Sequence, residues 1–213
     1  GFESDNNAGG AETTPFTSAK FSNVTLIGPM TAMNTGFSNT ADYITAGELF
    51  PDNGSKLGKF QASVQIRRSS KLNISNLLAI GFPIGLIIDG EKGQTVSYAK
   101  AGEFKLENCI FAGMDVIGTD KNKEYEDYFY DYATQTEDRT AISFSHSFFL
   151  AGLDNRTMEE QALGLTDPAH AGQNYCPSAE IGDGKGGYIG AFRDASDNWM
   201  SGWTNFDPQN TVY

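Results

Sequence analysis

The chain has 213 residues, including 24 glycines, 15 phenylalanines and nine tyrosines, and its 15 Lys and Arg face 27 Asp and Glu for a formal net charge of -12. That balance repels a phosphate backbone and argues against nucleic acid as a partner, and the turn-rich, aromatic composition argues against a helical bundle. Only Cys109 and Cys176 are present, far apart, which excludes a zinc ribbon or a disulfide-dense scaffold, and no apolar run approaches the ~20 residues of a spanning helix.

The first residues, Gly1-Phe2-Glu3-Ser4-Asp5-Asn6, are acidic rather than signal-like, as expected of a mature or truncated chain. A short pattern then recurs: FSNVTLIG at 21–28, ISNLLAIG at 74–81, LENCIFAG at 106–113 and SFSHSFFLAG at 143–152. Phe21, Ile74 and Leu106 are apolar where Ser22, Ser75 and Glu107 are polar, the alternation of a half-buried strand. Beyond a kink, Val24, Leu77 and Cys109 form one apolar column, and Leu26, Ala79 and Phe111 form another.

Between these columns stand Asn23, Asn76 and Asn108. Asparagine tolerates the left-handed backbone that turns a strand through a corner, and its amide can bond the same residue in a neighbouring strand. An asparagine ladder of this kind points to a right-handed parallel β-helix, an all-β fold in which like residues stack in columns. The ladder positions are unevenly spaced. With a coil of roughly 20 to 30 residues, an extra coil through FQASVQIRRSS at 60–70 fills the longer gap. The fourth copy departs from the pattern, with His146 near the asparagine position.

Residues 115–140 interrupt the coils. Tyr125, Tyr128, Phe129 and Tyr132 fall at helical spacing among Glu124, Glu126, Asp127 and Asp131, which predicts an inserted helix or lid. A second helix is expected from about Thr157 to Leu165, capped by Asp154 or Asn155 and ended by Pro168. The tail contains a predicted strand at 187–192, then Trp199, Trp203 and Phe206, expected to pack inward as a C-terminal cap. The whole is a single domain, with coils over about 16–152, the insertion at 115–140 and the cap from about 153 to 213.

Five segments carry a family resemblance: GFESDN at the start, SNVTLIGP, QIRRSSKLNISN, GFPIGLIIDG at 81–90, and GGYIGAFRD followed by WMSGWTNFDP. Together they resemble the C-terminal region of the large secreted or lipid-anchored, pectin-lyase-like parallel β-helix proteins of Bacteroides and its relatives. The resemblance implies an extracellular or outer-membrane surface setting and further coils upstream, so that the chain is a fragment of a larger protein. It brings no activity and no catalytic residues.

The chemistry is sparse. Pectate lyases and polygalacturonases share the expected scaffold, an analogy of fold alone, and no paired-carboxylate motif of a glycosidase is evident. His146, in an apolar context, reads more readily as a turn or core residue than as a catalytic one, and His170 follows in a loop. Arg67 and Arg68 are adjacent in a strand and face opposite ways, so one must reach solvent or a carboxylate; a basic residue for a lyase is the sharper alternative. Glu3, Asp5, Asn6 and Asn7 supply hard oxygens for calcium, though a solvated turn explains them equally, and Asp183 among glycines reads as a plain turn. No cofactor is expected.

Exposed tyrosines can stack on sugar rings, so Tyr125, Tyr128 and Tyr132, with Arg67 and Arg68, are the candidate ligand-binding residues. Against that stands the commoner fate of an amphipathic stripe, which is to face the core. Asn23, Asn73 and Asn155 sit in N-x-S/T patterns, to which a bacterial setting would give no role. Cys109, in an inward column, is expected to behave as a small buried hydrophobe. The expected function is a non-catalytic surface module that binds polysaccharide or cell-surface glycan; a polysaccharide-degrading enzyme and a structural spacer are the alternatives.

Overall fold

A computed structural model describes residues 1–32, 62–122, 124–165, 176–194, 196–197, 199–200 and 202–204. Two parallel sheets dominate. The first runs in the order β1 (Phe2–Ser4), β3 (Ala62–Arg67), β5 (Ile84–Asp89) and β8 (Val116–Thr119). The second runs β2 (Lys20–Ile27), β4 (Asn73–Ile80), β7 (Ile110–Ala112) and β11 (Arg156–Met158), with β6 (Leu106–Glu107) also paired to β4. A separate antiparallel hairpin joins β9 (Phe129–Asp131) to β10 (Thr136–Asp138). The α-helices are α1 (Pro29–Ala32), α2 (Thr95–Lys100) and α3 (Phe144–Ala151), and Glu160–Leu163 form a 3-10 turn.

This organisation corrects the expected all-β fold. Among the described residues, two parallel sheets combined with three helices, 13% helix against 32% strand, indicate an α/β architecture with no single β-helix solenoid. The repeat misled because strand alternation marks only the β2, β4 and β6–β7 column; it carries no information on the helices that pack beside the sheets. SFSHSFFLAG, expected as a fourth strand, is mostly α3. Ser143 caps that helix, its Oγ accepting the His146 N–H at 3.0 Å, and Ser145 and Phe149 are its buried side chains. His146 therefore lies on a helix and not at a ladder position.

Within the second sheet the register places like with like. Ser22 pairs Ser75, Val24 pairs Leu77, Leu26 pairs Ala79 and Ala79 pairs Phe111, which brings Asn23, Asn76 and Asn108 opposite one another. All three are left-handed, with φ of 55°, 53° and 52°, and the Asn76 Nδ2 donates to Asn23 Oδ1 at 3.4 Å. The register of β11 on β7 puts Asp154, φ 56°, opposite Asn108, so the column continues with an aspartate. Asn155 follows it, accepting the Cys109 N–H at 2.8 Å and donating to the Leu106 and Phe149 carbonyls at 2.9 Å.

Both sheets are covered on both sides, as parallel sheets generally are. Val64, Ile66, Leu86 and Ile88 of the first sheet meet Leu77, Ala79 and Phe111 of the second in the main core. On the far side of the second sheet, Leu78, Ile80 and Ile110 pack against Leu163 and Ile189. Ile84 and Ile87 of the first sheet pack against Tyr125. Helix α3 lies close on β8: a Cβ at Gly118 would meet the His146 backbone nitrogen at 2.4 Å, so only glycine permits that approach.

Other expectations are also revised. The insertion is an extended segment and a hairpin, because Tyr125, Tyr128 and Tyr132 are held by separate partners and not by one helical face. The stretch from Thr157 to Leu165 opens as the end of β11 and makes only the 3-10 turn, since residues 156–158 complete the second sheet. In place of a strand at 187–192 there is an isolated bridge between Gly182 and Tyr188. Trp199 and Trp203 do not pack inward; they are 50% and 67% exposed. Residues 60–61, Pro168, His170 and Phe206 lie outside the described residues.

Candidate ligand-binding cleft

A concavity of about 830 Å³ opens where the loop after β5, helix α2, the end of β8 and the β9–β10 hairpin meet. Its volume is in the range of small-ligand sites. Glu91, Lys100, Asp120, Tyr130, Asp131 and Tyr132 supply its chemistry. The loop owes its shape to Asp89, whose Oδ1 accepts the Glu91 N–H at 2.8 Å, and to Ser69, whose Oγ accepts the Gln94 N–H at 3.0 Å.

Asp120 is the keystone of the opposite side. Only 3% exposed, its carboxylate accepts the N–H groups of Tyr130 (3.2 Å), Phe144 (2.8 Å) and Ser145 (2.9 Å) and the Ser145 hydroxyl (2.9 Å). It thus ties β8 to the hairpin and to the start of α3. Burial pushes its pKa above the ordinary value although the four donors pull the other way. Burial likewise raises the pKa of Asp89, against the pull of the Glu91 N–H and with the Glu91 charge adding to the rise. The Tyr132 phenol is raised by burial and by the charges of Asp89 and Glu91.

Of the residues singled out from sequence, Tyr132 lines the cleft. Tyr125 bonds Asp115 and Tyr128, 4% exposed, bonds Glu124, so both serve internal contacts. Arg67 and Arg68 converge on the first strand: Arg67 Nε meets Asp5 Oδ1 at 2.9 Å, Arg67 Nη1 meets Glu3 Oε1 at 3.4 Å, and Arg68 Nη1 meets Asp5 Oδ2 at 2.8 Å. Glu3 and Asp5 are committed there. Asn6 donates to the Ala11 and Thr13 carbonyls and accepts from Thr17. Asp183 accepts the Lys185 and Gly187 N–H groups in a turn. Among the described residues, no three His, Cys, Asp or Glu side chains are grouped as a metal site.

Tyr130 and Glu91 were missed. The helical reading of 124–132 placed Tyr130 off its stripe, and an acidic residue in a surface loop carries no sequence signal of its own. His146 Nδ1 lies 2.6 Å from Asp127 Oδ2, and Asp127 Oδ1 accepts the Ser143 N–H, a polar clasp between the insertion and α3. Cys109 and Cys176 are free and buried. Burial pushes the Cys109 thiol to about 12, leaving it unreactive.

No family model, curated protein or solved structure matches this chain. No helix among the described residues is long and apolar enough to cross a membrane.

Proposed function

We propose that the chain is a non-catalytic binding module of the extracellular or outer-membrane surface, and that it holds glycan in the cleft between α2 and the β9–β10 hairpin. The observation that carries this reading is the pairing of Tyr130 and Tyr132, ring centroids 4.8 Å apart and edge to face, with carboxylates at the wall of an open cavity. Such a wall offers aromatic surface to sugar C–H groups and acceptors to sugar hydroxyls. The resemblance to secreted and lipid-anchored proteins supports the surface setting.

The internal use of Asp120 supports the non-catalytic reading. Both Asp120 oxygens are already occupied by internal donors, which leaves the group holding structure and not poised to move a proton. One observation favours the alternative of a polysaccharide-degrading enzyme: Asp120, a buried acid of raised pKa, lines the same cleft as the exposed Glu91. A polysaccharide panel, read together for binding and for new reducing or unsaturated ends, separates the two. Binding without cleavage supports the module; new reducing or unsaturated ends establish the enzyme; absence of both leaves a spacer.

A further inference from the structure

The fold repeatedly seats a cation on an aromatic face beside a carboxylate. Lys71 Nζ lies 4.1 Å from the Phe16 centroid and 4.0 Å from that of Tyr98 while pairing with Glu103. Lys121 Nζ lies 4.6 Å from the Tyr130 centroid and pairs with Glu124, and the Arg139 guanidinium lies 4.3 Å from that of Tyr128 and pairs with Glu126. Each group combines ring quadrupole and carboxylate, the two features that attract an ammonium.

The cleft brings the same two features together at Tyr132 and Glu91, while Lys121 covers the neighbouring Tyr130 ring. Among the described residues, no ammonium or guanidinium sits on the Tyr132 ring, and no basic side chain pairs with Glu91. The other charges of the wall are accounted for: Asp120 is saturated internally, Asp131 Oδ1 accepts the Ala133 N–H at 2.8 Å, and Lys100 Nζ stands 5.4 Å from the Phe144 centroid. Among the described lining residues, a uronate or sulfate entering the cleft meets the carboxylates of Glu91, Asp120 and Asp131 and the ammonium of Lys100, with Lys121 beside Tyr130 already paired to Glu124. An added negative charge is therefore disfavoured there and a positive one favoured.

We propose that the Tyr132 ring and the Glu91 carboxylate form a subsite for the protonated amine of an amino sugar, and that the cleft discriminates against acidic glycans. The proposal rests on the glycan-binding reading above and names the sugar class. Calorimetric titration of the full chain with glucosamine oligomers, their N-acetylated counterparts and oligogalacturonate tests it. The free-amine oligomer binds tightest, more weakly at high salt, and Glu91→Gln weakens it roughly threefold to tenfold, as for an exposed charge pair reinforced by a ring. Glu91 is exposed, so that variant keeps its fold; Tyr132→Phe retains affinity and Tyr132→Ala loses it. Equal or tighter binding of the acetylated or uronate oligomer overturns the amino-sugar subsite and leaves the glycan cleft standing. No binding of any oligomer, or capture of lysine-rich peptide in place of sugar, overturns both.

Discussion

Replacing Asp120 with asparagine tests whether one buried carboxylate joins the two walls of the cleft. Asparagine offers one acceptor oxygen where aspartate offers two. If that oxygen takes the Oδ2 place, it keeps Tyr130 and Phe144 while its NH2 confronts the Ser145 N–H; the reverse placement abandons Tyr130 and Phe144. At least one buried donor is orphaned, which costs about 1–3 kcal/mol, or a fall in Tm of roughly 5 °C for a chain of this size. The pH dependence is signed. Because burial raises the pKa of Asp120 above 3.8, the folded state holds its proton more tightly than the unfolded chain does. Its contribution is therefore fullest below the ordinary aspartate range and declines as pH rises through the folded value. Asparagine does not titrate, so the stability advantage of wild type over the variant shrinks across that interval. Urea denaturation of both proteins at a series of pH values measures it. A variant as stable as wild type at every pH, or an advantage that grows with pH, would refute the reasoning; the second outcome would mean that the four donors outweigh burial.

Gly118→Ala places a methyl against the His146 backbone, which cannot yield as a flexible side chain would; a loss of about 1–3 kcal/mol in chemical denaturation is expected, without new reactivity elsewhere. Asn76→Ala removes the left-handed residue in the middle of the column and costs about 1–2 kcal/mol, whereas Asn76→Gly costs less, a ranking that thermal melts can check. Arg67→Ala leaves Asp5 and Glu3 short of a partner at a side chain only 14% exposed, and amide exchange should quicken in β1 before it does in β4. Native protein should give almost no thiol reaction with a disulfide reagent, and denatured, unreduced protein should give two equivalents, because Cys109 and Cys176 are free and buried.

The asparagine column was legible because a left-handed corner needs a particular residue type, and Asn23, Asn76 and Asn108 meet that need at matching register. The fourth member escaped notice because Asp154 fills the same backbone conformation with a different side chain, while a similar apolar run nearby offered a false match. That run, 143–152, is where the reading of the fold failed. Ser143 caps a helix there, and Asp120, distant in sequence, takes up the Phe144 and Ser145 N–H groups exposed at its start. Neither contact leaves a trace in local periodicity. The same holds for the cleft. Tyr132 was found through its aromatic neighbourhood, but Glu91 and Tyr130 join it in the cleft only through the pairing of the first sheet and the turn of the β9–β10 hairpin. Tyr125 and Tyr128 shared the sequence signal but are bonded to Asp115 and Glu124, away from the cleft lining.

The most direct test of the central claim is an amide-resolved NMR titration of the full chain with glucosamine oligomers. The account predicts that shifts concentrate at Gly90, Glu91, Gly93, Tyr130 and Tyr132, saturate together and vanish in Tyr132→Ala. Saturating shifts elsewhere, at Trp199 and Trp203 for example, with the cleft amides unmoved, would contradict it.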